Sequence, residues 1–362
     1  IPFAGPVDGA PSWVIMSPDR FRIKCAVEQQ GVPLEKWQIQ INYGIKTGYN
    51  EAFYISTAQR EAFIIEDPRC AELIVPLLRG RNVDRYVTQW EAAEDEQWMI
   101  NSHNGIKELG IPPVKLETEY PVLWNHIVAH EKKLVVRLDK GDHWSNLRNC
   151  AYIRDFQKPK IVYPNMTKYL PFYLDTTEHF FINDKAFILT TETESLAYLT
   201  AALNSTVFRC CFMDNFPNLG EDRRELRKIF MDKIPIKKPT AQQAALFEAL
   251  VPMVQATKAE SQKSDNSELR SVAVFLEEVI DACVMEVYFS DHMAEHRLGI
   301  MAHVTPLLQD FDAAAPPAQQ VATAQQFYAQ ANDSKHPIRN ILIRIPVDSP
   351  DLLAVIQREG AV

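Results

Sequence analysis

Most strings that announce a chemistry are missing from this sequence. There is no GxGxxG and no GxxxxGK followed by Ser or Thr, which excludes the standard glycine-rich phosphate cradles. No HExxH and no CxxC pair offers metal ligands at a working spacing. No GxSxG string offers a nucleophile elbow. An Asn or Asp followed by Pro-Pro and an aromatic, the signature of amino-group methylation, is also absent; the nearest string, Tyr163-Pro164-Asn165, has the wrong order. His292 and His296 are four apart, a zinc-like spacing on one helix face, and His303 lies seven further on. No third ligand is evident beside them, so we expect a structural pair. No stretch approaches the roughly 18 apolar residues that a membrane span needs. The start, IPFAGPVDGAPSW, lacks the basic end and apolar run of a signal peptide. Cys25, Cys70, Cys150, Cys210, Cys211 and Cys283 have no metal-type spacing, and the adjacent pair suits no simple disulfide framework. Reduced thiols in a cytoplasmic protein are the expectation.

Charge is unevenly spread. Residues 1–238 hold 30 Lys+Arg and 31 Asp+Glu, a net of −1, and residues 239–362 hold 8 and 16, a net of −8; together they give the chain's −9. An acidic total does not forbid binding to a polyanion, because the local field decides it. The first two-thirds can carry a basic face. With 362 residues, 46% of them hydrophobic, more than one domain is expected. The first residue is Ile1 rather than Met, so we expect a piece of a longer chain.

Up to about residue 238 the texture is mixed α/β. Runs at 38–41, 160–163, 180–183 and 187–190 predict strands, and several alternate as half-buried strands do. Residues 19–30, 118–133 and 195–204 predict helices. The string Ile234-Pro235-Ile236-Lys237-Lys238-Pro239 marks a loop. Beyond it, 244–257 reads as helical. Leu269, Val272, Leu276, Val279, Cys283 and Val287 recur at steps of three and four and predict a long amphipathic helix. A second apolar stripe ends in LGIMAHVTPLL. Residues 313–333, rich in Ala, Gln and Pro, read as a linker. The final IRNILIRIPV reads as a strand. The resulting division is 1–238, then a helical region over 239–310, then a linker and C-terminal extension over 311–362.

Four segments bring glycine, basic and aromatic residues together. In GIKTGYNEAF (44–53) two glycines four apart let the backbone turn tightly or approach a ligand. Lys46, Thr47 and Asn50 then offer donors; lysine suits a phosphate or a guanine edge, and Asn can bond adenine bidentately. A plain hairpin turn with solvated polar residues is the alternative. In PLLRGRNVDRY (76–86), Arg79, Arg81 and Arg85 surround a glycine and present forks that fit phosphate or guanine. A solvated charged loop is the alternative there. RLDKGDHWSNLR (137–148) mixes Lys140, His143, Trp144 and Arg148 at a turn, with Trp144 either stacking on a ligand or anchoring the loop on the core. FQKPKIVY (156–163) enters a strand, and Lys158 and Lys160 read as positioning charges.

In order and wording these segments resemble the TaqI-like C-terminal specificity domain of type IIG restriction–modification enzymes and related phage-defence adenine methyltransferases. The shared strings are GIKTGxNEAF, LLRGRxxxRY, Tyr120-Pro121, RxDKGxHWxxLRxCxY, FxKPKIVYP, FxLD (172–175) and Leu203-Asn204-Ser205. They cover about residues 12–238. IDACVMEVYF resembles the closing helix of such regions, where long helices act as spacers; beyond about residue 300 the resemblance ends. Asn82-Val83 stands where the family has Asp-Ile, which points to a different specificity.

The resemblance implies an α/β (mixed α+β) target recognition domain at 1–238 followed by a helical spacer. It implies that Lys46, Thr47, Tyr49, Asn50, Arg79, Arg81, Asn82, Arg85, Lys140, His143, Trp144, Arg148, Lys158 and Lys160 face double-stranded DNA. Relatives place a catalytic domain before this region, using S-adenosylmethionine to methylate adenine N6. That domain is the implied partner, no cofactor is expected in this chain, and no membrane is involved. Two rivals stand beside this reading. One is a protein-interaction module of a phage-defence complex, docking through the acidic helical tail. The other is a nuclease, suggested by Glu131-Lys132-Lys133, which sits in a helical pattern with no acidic partner before it.

Overall fold

The computed structural model describes residues 3–5, 14–92, 97–138 and 140–361. Most of the opening IPFAGPVDGAPSW stretch, and Asp139 of the third segment, lie outside the described residues. Two four-stranded sheets organise the first two-thirds. Their strands in chain order are β1 (Ile39–Tyr43), β2 (Tyr54–Ile55), β3 (Ile74–Leu78), β4 (Trp98–Ile100), β5 (Lys160–Pro164), β6 (Tyr173–Asp175), β7 (Phe181–Ile182) and β8 (Ala186–Thr191). One sheet runs β6-β5-β8-β1, antiparallel throughout. The other runs β7-β3-β4-β2, with only β7 and β3 parallel.

Successive side chains on a strand point to opposite faces. In β5, Ile161 and Tyr163 therefore enter one hydrophobic core and Val162 a second; in β8, Leu189 enters the first and Ile188 the second. The first sheet is thus covered on both faces, and β5 is buried along its whole length. A strand in that position reads as a continuous apolar run.

The second core gathers the other sheet and α2 (Pro121–Val128). The first core gathers the helices: α1 (Pro18–Gln30), α3 (Leu196–Asn204), α4 (Thr206–Phe212), α5 (Ala241–Ser264), α6 (Ser267–Tyr288), α7 (Pro317–Ala331), α8 (Pro337–Asp348) and α9 (Leu353–Gly360). Helix α5 starts on a capping box between Thr240 and Gln243, which satisfies two orphan amides at once. All six residues of the predicted stripe on α6 are buried. The stretch before Pro239, expected as a loop, holds a two-residue strand, Pro235–Ile236, paired with Val32–Pro33, and it does not separate this core: the Tyr198 and Phe247 rings meet at 5.3 Å across it.

Three expectations are corrected. The helix expected over 118–133 is three pieces, Leu116–Glu119, α2 and Glu131–Leu134, because Pro121 has no N–H to continue the first. The expected linker at 313–333 holds α7, whose Val321, Ala324, Phe327 and Ala331 are buried at helical spacing. Its Tyr328 ring stands edge-on to Phe275 at 5.2 Å. The expected final strand is α8, which buries Ile338, Ile341 and Ile345 on one face. Among the described residues, no single helix is long and apolar enough to cross a membrane.

Candidate functional site

The loop at 44–50 leaves β1 and is fixed by a close approach. A Cβ on Gly44 would lie 2.0 Å from the Asn183 carbonyl oxygen, so only glycine fits there. Gly48 has φ 72°, which lets the chain turn back before Asn50. The Ile45 N–H donates to the Ile182 carbonyl at 2.8 Å. The loop at 79–86 leaves β3 and rests on the same turn. The Gly80 N–H donates to Asn183 Oδ1 at 3.2 Å, and a Cβ on Gly80 would lie 2.4 Å from the Lys185 carbonyl oxygen. Asn183 is therefore the pin that holds the first two motif loops side by side.

Arg137 ties in the third. Its Nη1 donates to the Thr47 carbonyl. Its Nη2 donates to the Trp144 and Asn146 carbonyls at 2.7 and 2.9 Å. Its guanidinium carbon lies 5.1 Å from the centre of the Phe53 ring. Burial pulls its pKa down, but a guanidinium keeps its charge at neutral pH. Asn104 secures the same loop from behind, accepting from the Asp142 N–H at 2.8 Å and donating to the Leu147 carbonyl at 2.6 Å. Asn146 donates to the carbonyls of His103 and Val114, both at 3.1 Å.

On this frame, Lys46, Asn50, Arg81, Lys140 and His143 are exposed, and Arg79, Asn82, Trp144 and Arg148 are half-buried. The Lys46 ammonium lies 5.1 Å from the Tyr43 ring centre, and Tyr43 packs edge-on against Tyr152 at 5.9 Å. With Arg148, Asn149 and Cys150 these residues line a small surface pocket, so the first and third segments meet there. Burial pushes the Cys150 thiol up to about 11, which keeps it neutral and unreactive. Lys140 Nζ donates to the Val135 carbonyl at 3.0 Å. Asn82 donates to the Gln89 carbonyl at 3.3 Å. His143 shares a hydrogen with Ser145 Oγ at 2.7 Å. Trp144 packs on Trp124 at 5.2 Å, which serves as an anchor.

Other candidate residues turn inward. Lys160 is fully buried with Asp175 at 2.7 Å, so its expected role as a positioning charge at a surface is corrected. Its strand is covered on both faces, and the ammonium has no path to a ligand. Arg85 points away from the loop crest: it lies 3.2 Å from Glu277 on α6 and donates to the Asn204 carbonyl at 2.9 Å. Burial works against its charge, but Glu277, Asp281, Tyr86 and Asp84 together raise its pKa. Burial also holds the Asp281 carboxyl up at about 6. Thr47 is buried and bonds Asn50 Oδ1 at 2.6 Å, so it shapes the turn instead of lining a groove. Tyr49 accepts from Lys133 at 2.9 Å and donates to Glu51. Lys158 is exposed but pairs with Glu192 at 2.8 Å and Asp155 at 3.2 Å.

Sequence reasoning missed Arg137, Asn183 and Tyr43 as members of the site. Arg137 opens the third motif and Asn183 closes the β7 string, but their roles depend on carbonyls from other loops. The His292 and His296 rings meet at 4.4 Å, tilted by 37°, and His292 bonds Ser349 Oγ at 2.7 Å. Among the described residues, no group of three His, Cys, Asp or Glu side chains could hold a metal ion.

Residues 75–236 match the TaqI-like C-terminal specificity domain family. Among solved structures, the chain is similar to the type IIL restriction–modification enzyme MmeI in complex with DNA. That likeness has 12% identity and a TM-score of 0.43, and covers 82% of this chain and 36% of that one. It is also similar to the type IIG restriction endonuclease BpuSI, with 11% identity, a TM-score of 0.43, and coverage of 75% of this chain and 33% of that one. The chain thus spans about a third of the length of these structures. No curated protein matches it.

Proposed function

We propose that this chain, whose residues 75–236 match the TaqI-like C-terminal specificity domain family, reads a sequence in double-stranded DNA for a restriction–modification enzyme. The observation that carries the reading is the convergence of three motif loops on one surface. Asn183 and Arg137 hold 44–50, 79–82 and 137–148 together from inside, and Lys46, Arg81 and Lys140 face outward. Exposed cations around a fixed backbone suit phosphate positioning, and Asn50 and the arginine forks suit base edges.

The parent enzyme, in this proposal, methylates adenine N6 in a bacterial cytoplasm as part of phage defence. Its catalytic domain lies outside this chain and uses S-adenosylmethionine. The target adenine leaves the duplex to reach that domain, since its amino group is otherwise stacked and paired. This chain holds the opposite wall of the DNA cleft and contributes no catalytic group.

Binding of the chain to a random-sequence pool of duplexes tests the reading. Repeated selection should enrich one word, and the affinity for that word should fall steeply with salt. Lys46→Ala and Arg81→Ala should each reduce the salt slope by about 1 if they touch phosphate, or cost about 1–3 kcal/mol on particular sequences if they touch a base. Unchanged binding in both variants would remove this surface from the site. Salt-insensitive capture of a protein partner with no DNA affinity would favour the interaction-module reading, for which the acidic helical tail speaks.

A further inference from the structure

We propose that Arg85 is a positioning residue for DNA reading: through Glu277 on α6 it holds the loop crest that carries Arg81. The inference rests on the DNA-recognition reading. It makes the helical region a working part of that surface instead of a spacer.

The segment after Arg81 is bent against its own preference. Val83–Asp84 pairs with Val87–Thr88 in a short hairpin, and Arg85 and Tyr86 form its turn. A turn this short calls for positive φ and is ordinarily filled by Gly, Asn or Asp. Here Tyr86 takes that place, with φ 61°, which a bulky side chain resists. Such a residue persists only where its surroundings hold it. Tyr86 is 1% exposed, and its N–H donates to the Phe172 carbonyl at 3.2 Å. The Arg85 N–H donates to Asp84 Oδ1 at 2.7 Å.

The Arg85 side chain then reaches the helices. Its Nη2 donates to the Asn204 carbonyl at the end of α3 at 2.9 Å and lies 3.2 Å from Glu277 Oε2. Glu277 Oε1 takes the Lys258 ammonium of α5 at 2.6 Å, so one carboxylate ties the hairpin to both long helices. These three side chains keep only 18–23% exposure, so salt screens them less than a surface pair. Asp281, one turn further along α6, and Arg209 of α4 complete the charged surroundings. Asp281 is itself held by the Thr206 N–H at 3.1 Å.

The crest is therefore gripped from two sides. Asn183 holds Gly80 on the sheet side. On the other, Asn82 Nδ2 donates to the Gln89 carbonyl at 3.3 Å, and the Gln89 N–H donates to the Asn82 carbonyl at 2.8 Å. Crest and hairpin thus move as one unit, and Arg85 fixes that unit to α6. The exposed Arg81 stands between the two grips.

Hydroxyl-radical footprinting tests this, with the whole chain on the duplex it selects from a random-sequence pool. Protections lost in Arg81→Ala mark the nucleotides under the crest, and those lost in Lys46→Ala mark the neighbouring loop. Arg85→Met and Glu277→Gln should both bind more weakly, lose the Arg81 set and keep the Lys46 set. The shared direction discriminates. Removing a cation and removing an anion shift the long-range field on a polyanion in opposite senses, so a purely electrostatic role would weaken Arg85→Met and tighten Glu277→Gln. A merely structural role would thin every protection together. Both variants leave the remaining charges with partners: Glu277 keeps Lys258, and Arg85 keeps the Asn204 carbonyl and Asp281. Opposite shifts, a uniform loss, an unchanged footprint in either variant, or no protection lost in Arg81→Ala would overturn the positioning role and leave the DNA-recognition reading intact. Failure of wild type to select or bind any duplex would overturn both.

Discussion

Replacing Lys160 by methionine should destabilise the fold by about 3–5 kcal/mol, because it leaves a buried carboxylate without its cation. The ammonium lies 2.7 Å from Asp175 Oδ2 and donates to the Phe156 carbonyl at 2.6 Å. Neither side chain has any solvent exposure. Asp175 in turn accepts from the His179 and Phe180 amides at 3.0 and 2.7 Å, which orders the approach to β7. Burial pulls the Lys160 pKa down, and Asp175 opposes that. Combining Lys160→Met with Asp175→Asn removes the stranded charge but keeps an acceptor for only one of the two amides, because His179 and Phe180 donate to different carboxylate oxygens. The double variant should therefore recover part of the loss, and the two single effects should not add. Urea denaturation of the four proteins measures this. A single-variant loss below about 1 kcal/mol would mean that the pair behaves like a surface one.

On the proposed function, Arg137→Ala should weaken duplex binding more than removal of any one exposed cation does, although Arg137 is itself buried. Its guanidinium serves carbonyls of two separate loops, and each carbonyl left unpaired in the interior costs about 1–3 kcal/mol. We expect a stability loss of at least about 3 kcal/mol on that basis. Loops 44–50 and 137–148 should then separate, and the surface they share should lose its shape. Arg137→Lys should not rescue binding, because an ammonium cannot reach the Thr47, Trp144 and Asn146 carbonyls together. Equilibrium unfolding and duplex binding, measured on the same preparations, check both parts. Binding equal to wild type in Arg137→Ala would show that the loops keep their places without it.

How much of this was legible in the sequence depends on how local the cause is. The stripe on α6 and the β5 run were readable because one element's own periodicity carries the signal. Helix α7 was hidden by composition: Ala, Gln and Pro suggest a linker, yet Val321, Ala324, Phe327 and Ala331 face the core. Helix α8 was hidden by β-branched isoleucines, which favour strand by propensity while their spacing favours helix. The motif loops stood out because Gly44, Gly48 and Gly80 sit beside basic residues. Which bases face outward was not readable. The partners of Lys160 and Arg85, Asp175 and Glu277, lie on other elements, and nothing near either cation in the chain announces them. The same holds for Arg137, whose carbonyl partners carry no side-chain signature at all.

The most direct measurement is the adenine methylome of cells that lack other adenine methylation and express the full parent protein, read by long-read sequencing. We expect a single methylated word that is lost or altered when Lys46, Asn50, Arg79 and Arg81 are replaced. A word that stays the same in those variants would contradict the assignment of sequence reading to this surface. So would a genome left unmethylated even with neighbouring gene products supplied, if the purified chain also failed to bind duplex DNA.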